Sequence, residues 1–370
     1  MRIVIAPDKF KGTLDASEVA RAMTEGARVA APQAEIVSCP LADGGEGTSA
    51  ILSGALGAKH ERAIVEGPLG PSVEAHLALL SDGSALVESA TASGLHLVPP
   101  DERDALRAST RGTGSLIREA SKRGKPPSKV VVAVGGTAST EGGTGAAAAL
   151  GWRFLDERGA ELEPGGAALR RLARIVVPQE RFPAVELIAA CDVDAPLTGP
   201  GGAARVFAPQ KGASTSDIEV LEEGLARLAH RVREDVGVDL AELSYAGAGG
   251  GLAGGLFAFL GADLVSGFGL VARALKLPET LDGADLVITG EGRLDTQSLL
   301  GKCVSGVAGI ARERHVSCGV VAGEIRIDPT EVGADAAVAL VDLVGAGRAL
   351  SDPAAAVRAA TSTLIASMRG

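Results

Sequence analysis

Apolar residues along this chain come in short runs separated by glycine-rich, acidic turns. Residues 2–6 form an apolar run of the kind that fills a buried strand. Pro7 stops it, and Asp15 or Ser17 can cap a helix continuing to about residue 30, with Pro32 just beyond. Residues 34–39 read as the next strand, ending at "ADGGEG", Ala42 to Gly47, ahead of a helix-like run. This βαβ order predicts a parallel sheet. The pattern then changes: residues 62–66, 73–80 and 85–88 alternate or run as short strands, and Ser81-Asp82-Gly83 is a hairpin signal. Antiparallel pairing is expected there, with a second domain beginning near Gly67. Residues 129–134 and 185–190 are further strands, and residues 217–233 have helical amphipathicity. A strand at 284–289, a helix at 299–314, strands at 317–322 and 336–340 and a helix at 353–368 return the chain to β/α alternation. The expected architecture is one α/β domain built from residues 1–66 plus 283–370, with residues 67–282 inserted as a second α/β domain containing a mixed sheet. The active site is expected in the cleft between them.

Composition narrows the function. The 370 residues include 50 glycines, and aromatic residues are only 2%, which suits loops that wrap polar ligands in backbone rather than surfaces that stack bases. The formal net charge of −10 argues against a nucleic-acid partner. No stretch is apolar for the length of a membrane span, and "MRIVIAPDKF" reads as a strand rather than a signal peptide, so a cytoplasmic location is expected. Cys39, Cys191, Cys303 and Cys318 form no CxxC pair and are expected as buried or incidental thiols. None of the five histidines has HExxH spacing, and only His96, beside a glycine-containing loop, merits attention.

The candidate chemistry lies in four strand-end turns: "ADGGEG" with Asp43 and Glu46, "GGTASTEGG" with Glu141, "CDVDAP" with Asp192 and Asp194, and "GEGRLD" with Glu291 and Asp295. Ligands of parallel sheets bind beyond the carboxyl ends of strands. Carboxylates there suit Mg²⁺, and glycines let backbone N–H groups face an anion. Asp and Gly are also ordinary turn residues, so it is the recurrence of the pattern that favours a metal–phosphate site. Lys9, Lys11, Lys211, Arg293 and Lys302 are the cations near these turns. Lys302 follows a glycine, but Thr296 stands where a P-loop needs glycine, and no Ser or Thr follows the lysine. Gly247–Leu252 lacks the third glycine of a dinucleotide fingerprint, and no nucleophile elbow or protein-kinase signature occurs.

Taken in order, "APDKFKGTLDA", "LADGGEGT", "GGTASTEGGTGAAAALG", "CDVDAPLTGPGGAARVFAPQKGA", "AGAGGGLAGGL" and "DLVITGEGRLDTQSLLGK" resemble the type 1 glycerate kinase family over nearly the whole chain. The resemblance implies a flavodoxin-like α/β domain with an inserted second α/β domain. It also implies ATP-dependent phosphorylation of D-glycerate, giving 2-phosphoglycerate or, less often in this family, 3-phosphoglycerate. Departures occur at Ala195, where the family often has Asn, at Thr140 and Glu141, where Asn or Asp is common, at Cys303 and Val304, and at Lys9, where Ser is common. Lys11 is therefore favoured over Lys9. On this reading Asp43 and Glu46, with Glu291 or Asp295, hold Mg²⁺, and Lys11 neutralises the transferring phosphate. Gly135, Gly136, Gly249 and Gly250, with Lys211 and Lys302, bind the nucleotide phosphates. Arg293, with Asp295 and Lys9, binds glycerate, and Asp192 orients the attacking hydroxyl and accepts its proton. The rivals are a kinase of another small hydroxy acid, a nicotinamide-dependent oxidoreductase and a non-catalytic metabolite sensor. A homodimer is compatible with the sequence.

Overall fold

The computed structural model describes residues 1–122, 127–180, 182, 185–299 and 303–369. In chain order the strands are β1 (Arg2–Ile5), β2 (Glu35–Ser38), β3 (Ala58–Glu66), β4 (Ser72–Leu80), β5 (Ala85–Glu88), β6 (Lys129–Ala133), β7 (Arg153–Leu155), β8 (Arg174–Val176), β9 (Glu186–Cys191), β10 (Asp263–Ser266), β11 (Leu286–Leu294), β12 (Ser317–Ile325) and β13 (Ala336–Ala339). The chain divides into two compact units. The first is Met1–Asp43, Ala50–Ala55 and Phe268–Gly370, and the second is Gly44–Ser49 and Leu56–Gly267.

The first unit holds a sheet in the order β13-β12-β11-β1-β2, with every neighbouring pair parallel. Counted by appearance within the unit, that order is 2-1-3-4-5, the flavodoxin arrangement, whose strand order reverses at the β1/β11 boundary. Ile3, Ile5, Leu286 and Ile288 pack against Val19 and Met23 of the helix Ala16–Ala30 and Val357 and Leu364 of the helix Pro353–Met368. Burying each such side chain contributes about 1.5–3 kcal/mol. Asp15 rather than Ser17 caps the first helix, in a reciprocal capping box with Glu18.

The strand expected to end at Thr289 continues through Gly290, Glu291, Gly292 and Arg293 to Leu294, paired with β12. The "GEGRL" segment is therefore strand, not loop. Its glycines mark close backbone approach, since a Cβ on Gly290 would lie 2.2 Å from the Val321 carbonyl oxygen. Strand geometry also puts Glu291 and Arg293 on one face.

The second unit holds a mixed sheet in the order β10-β9-β6-β5-β4-β3. β5, β6, β9 and β10 are parallel neighbours, whereas β3/β4 and β4/β5 are antiparallel. β3 pairs with β4 from Ala58↔Leu80 to Glu66↔Ser72, so residues 58–66 belong to this sheet rather than to the first unit. Val87, Val130, Val132, Leu187 and Ala189 pack on Leu116 and Ile117 of the helix Arg111–Ser121 and on Leu252 and Leu256 of the helix Leu252–Leu260. A second cluster gathers Trp152, Phe154 and Phe259 with Leu221, Leu225 and Leu228 of the helix Thr215–Asp235.

Candidate active site

At the strand-order reversal of the first unit the chain leaving β1 runs on beside β11, where Asp8 N donates to the Gly290 carbonyl at 3.0 Å. Asp8 and Asp43 are both buried, and Lys9 Nζ lies 3.8 Å from Asp8 Oδ1 and 3.5 Å from Asp43 Oδ1. The Cys303 thiol, at the start of the helix Cys303–Glu313, donates to the Asp8 carboxylate. Burial raises the Cys303 pKa well above the usual thiol range; the charges of Asp8, Asp43 and Glu291 add to the rise and Lys9 opposes it. Three carboxylates and one ammonium thus surround one buried thiol. Burial, then Asp43, push the Asp8 carboxyl up to about 6, against Lys9 and the hydrogen bonds from the Lys9 amide and Cys303.

The second unit carries a different cluster. Asp192 follows β9 and is half-buried, with the Gly135 backbone so close that a Cβ there would lie 2.8 Å from Asp192 Oδ2. Lys211 is buried, and its Nζ donates to the Ser139 carbonyl at 2.5 Å. Desolvation lowers its pKa to about 8, with Asp192 pulling the other way. Gly250, at φ 70°, packs directly beneath, and a Cβ would lie 2.0 Å from the Ser139 oxygen and 2.9 Å from Lys211 Nζ. The 134–142 and 246–251 segments interlock through Thr137 Oγ1 to the Gly249 carbonyl and Gly142 N to the Gly250 carbonyl. The amides of Gly249 and Gly250, just before the helix Leu252–Leu260, donate to no acceptor among the described residues. Ser139 Oγ and Thr140 Oγ1 are likewise buried without a partner there.

Two acids of the second unit are structural. Glu141 is buried, and its Oε1 accepts from Ser109 Oγ, Thr110 N and Oγ1, and Gly145 N, while Oε2 accepts from Gly165 N. It satisfies amides at the start of two helices, where a carboxylate also complements the dipole. Glu88 similarly accepts from the Gly47 and Ser49 amides.

Residues 3–369 match the family model described as "Glycerate kinase family". The chain belongs to the glycerate kinase family. It is 43% identical over 347 residues to "Glycerate kinase" of Bacillus subtilis (strain 168), covering 92% of this chain and 90% of the relative. It is 42% identical to "Glycerate 2-kinase" of Escherichia coli (strain K12), covering 93% and 92%. A crystal structure of a candidate glycerate kinase 2 from Salmonella typhimurium LT2 superposes with a TM-score of 0.79 at 41% identity, covering 100% of this chain and 98% of that one.

Within this kinase the remaining expected site residues fall as follows. Lys11 is exposed in the turn closed by the Phe10↔Leu14 bridge. Glu46 is exposed and belongs to the second unit, whereas Asp43 and Glu291 belong to the first. Among the described residues no three His, Cys, Asp or Glu side chains form a ready-made metal cluster. Mg²⁺ needs fewer: it is commonly held by one or two carboxylates plus substrate phosphates and water, and the oxygen donors Asp43 and Glu291 fit that requirement. Arg293 Nε is engaged by Asp295 Oδ2 at 2.8 Å, and Asp295 Oδ1 accepts from Gln297 N in a local turn. Gly136 accepts from Leu95 N, tying its turn to the 94–97 segment. Lys302 lies outside the described residues. Asp8 and Cys303 are the members of the first cluster that the turn pattern did not single out. Asp8 stands directly beyond a parallel strand, and that position was the available signal. No helix among the described residues is long and apolar enough to cross a membrane.

Proposed function

We propose that the chain transfers the γ-phosphoryl group of ATP to a hydroxyl of D-glycerate, giving 2-phosphoglycerate and ADP. The observation that carries this reading is the family match across residues 3–369, joined by a relative of 42% identity named "Glycerate 2-kinase". The geometry supports a division of labour. Asp43 and Glu291, with Asp8 beside them, would hold Mg²⁺, which supplies charge neutralisation on the phosphate oxygens. Lys211 and the amides of Gly249 and Gly250 receive nucleotide phosphates, with Gly135 and Gly136 holding the adjoining turn in place. Lys11, exposed on its turn, reaches the transferring group. Arg293, steadied by Asp295, offers its terminal nitrogens to the glycerate carboxylate. Asp192 accepts the hydroxyl proton, and a loose transition state asks only for a base of ordinary strength.

The test is coupled ADP release with ATP, Mg²⁺ and a panel of small hydroxy acids. D-Glycerate should be the preferred acceptor, and phosphorus NMR of the product should show the 2-phosphate. Preference for another hydroxy acid, or phosphorylation at the other hydroxyl, would replace the substrate or product in this assignment.

A further inference from the structure

Tyr245 is the only tyrosine of the chain and adopts φ 66°, the left-handed region that residues other than Gly, Asn and Asp rarely enter. The other non-glycine residues with positive φ among those described, Lys276 and His315, follow helix ends, where this conformation is a common stop. Tyr245 ends no helix. Its backbone is held from several sides: its N–H donates to Asp194 Oδ1 at 2.9 Å, its carbonyl accepts from Ala248 N, and Gly247 N donates to the Ala195 carbonyl. Glycine or asparagine would meet this backbone requirement more easily, so the aromatic ring itself calls for an explanation. A strained residue beside a candidate site is a motive for a functional hypothesis.

The ring packs one side on the core cluster and remains half-buried, and its hydroxyl has no hydrogen-bond partner among the described residues. It lies within electrostatic range of Asp194 and Cys191 at the carboxyl end of β9; burial, then Asp194, raise the phenol's pKa, so the ring stays neutral. A phosphate would be repelled beside Asp194. A flat uncharged heterocycle would not be, and a carboxylate accepts from an exocyclic amino group. The unpartnered amides of Gly249 and Gly250 follow four and five residues later, with Lys211 against them.

We propose that Tyr245 is the platform on which the adenine ring of the nucleotide stacks, with Asp194 facing its amino group; this rests on the ATP-dependent reading above. Tyr245 then sets nucleotide specificity from one end of a segment whose glycine end receives phosphate.

A single tyrosine permits a direct test. Protein carrying 3-fluorotyrosine gives one fluorine resonance from residue 245. Adenosine and ATP should shift it, whereas tripolyphosphate and D-glycerate should not. Tyr245→Phe should keep the KM for ATP within about twofold, and Tyr245→Ala should raise it about tenfold or more. Tyr245→Asn tolerates the left-handed backbone without the ring, so it should stay folded and show the same rise. The KM for D-glycerate should be unchanged in all three. A resonance insensitive to adenosine, or an Asn variant with wild-type KM for ATP, overturns the proposal. Wild-type protein that stacks adenosine yet phosphorylates no D-glycerate would remove the substrate assignment and leave the stacking role standing.

Discussion

In the first unit, Asp8, Asp43 and Glu291 crowd one buried thiol, and Asp8 and Asp43 share Lys9. In the second, the buried ammonium of Lys211 sits against glycine backbone with Asp192 as its carboxylate. Both draw on glycine-and-acid segments near the carboxyl ends of parallel strands, yet one gathers excess negative charge and the other a buried ammonium and free amides. Topology explains part of the difference. The first sheet reverses its strand order between β1 and β11, so Asp8 and Asp43, beyond the ends of β1 and β2, and Glu291, within β11, gather around one thiol. The second sheet runs in sequence order without such a reversal, and its acid Glu141 is consumed by helix amides instead. An acidic segment therefore acquires its surroundings from what the fold sets beside it: a candidate cation site where acids converge, a structural anchor where amides do.

The largest expected effect breaks the comparison on its acidic side. Asp43→Asn or Glu291→Gln should lower kcat by about 10²–10³-fold and weaken Mn²⁺ binding measured by spin resonance in the presence of ATP. Unaltered metal binding would show that the cluster is not a cation site. Glu141→Gln should cost roughly 2–3 kcal/mol of stability, read by denaturant titration, while leaving both KM values alone. A selective loss of ATP binding instead would return Glu141 to the ligand site.

Lys211→Met probes the cationic side. Its folded pKa of about 8 lies below the ordinary 10.5, so between these values the unfolded chain binds more protons than the folded one. Wild-type stability should therefore rise with pH across that window, by roughly 3 kcal/mol at most, and the Met variant should lack the rise. The same variant should raise the KM for ATP about tenfold. Parallel stability curves for the two proteins would show that Lys211 is not desolvated. Lys11→Ala should give the smallest change, about a tenfold loss in kcat with no change in melting temperature; an unchanged kcat would exclude Lys11 from the reaction.

Much of this was open to a reader of the chain. The run at residues 2–6 and its successors specify buried parallel strands, the Ser81–Gly83 turn specifies an antiparallel pair, and the ordered motifs specify the family, because each signal is local or colinear. The extent of β11 was not legible, since glycine reads as a loop until β12 is seen paired alongside it. Nor was the prominence of Asp8, whose environment comes from Asp43 and Cys303, or the burial of Lys211, which looks like any surface lysine in "APQKGA". Periodicity and composition settled which residue types stand at strand ends. Only tertiary structure decided which of them meet, because the desolvation and charge that give a side chain its chemistry come from neighbours far away along the chain.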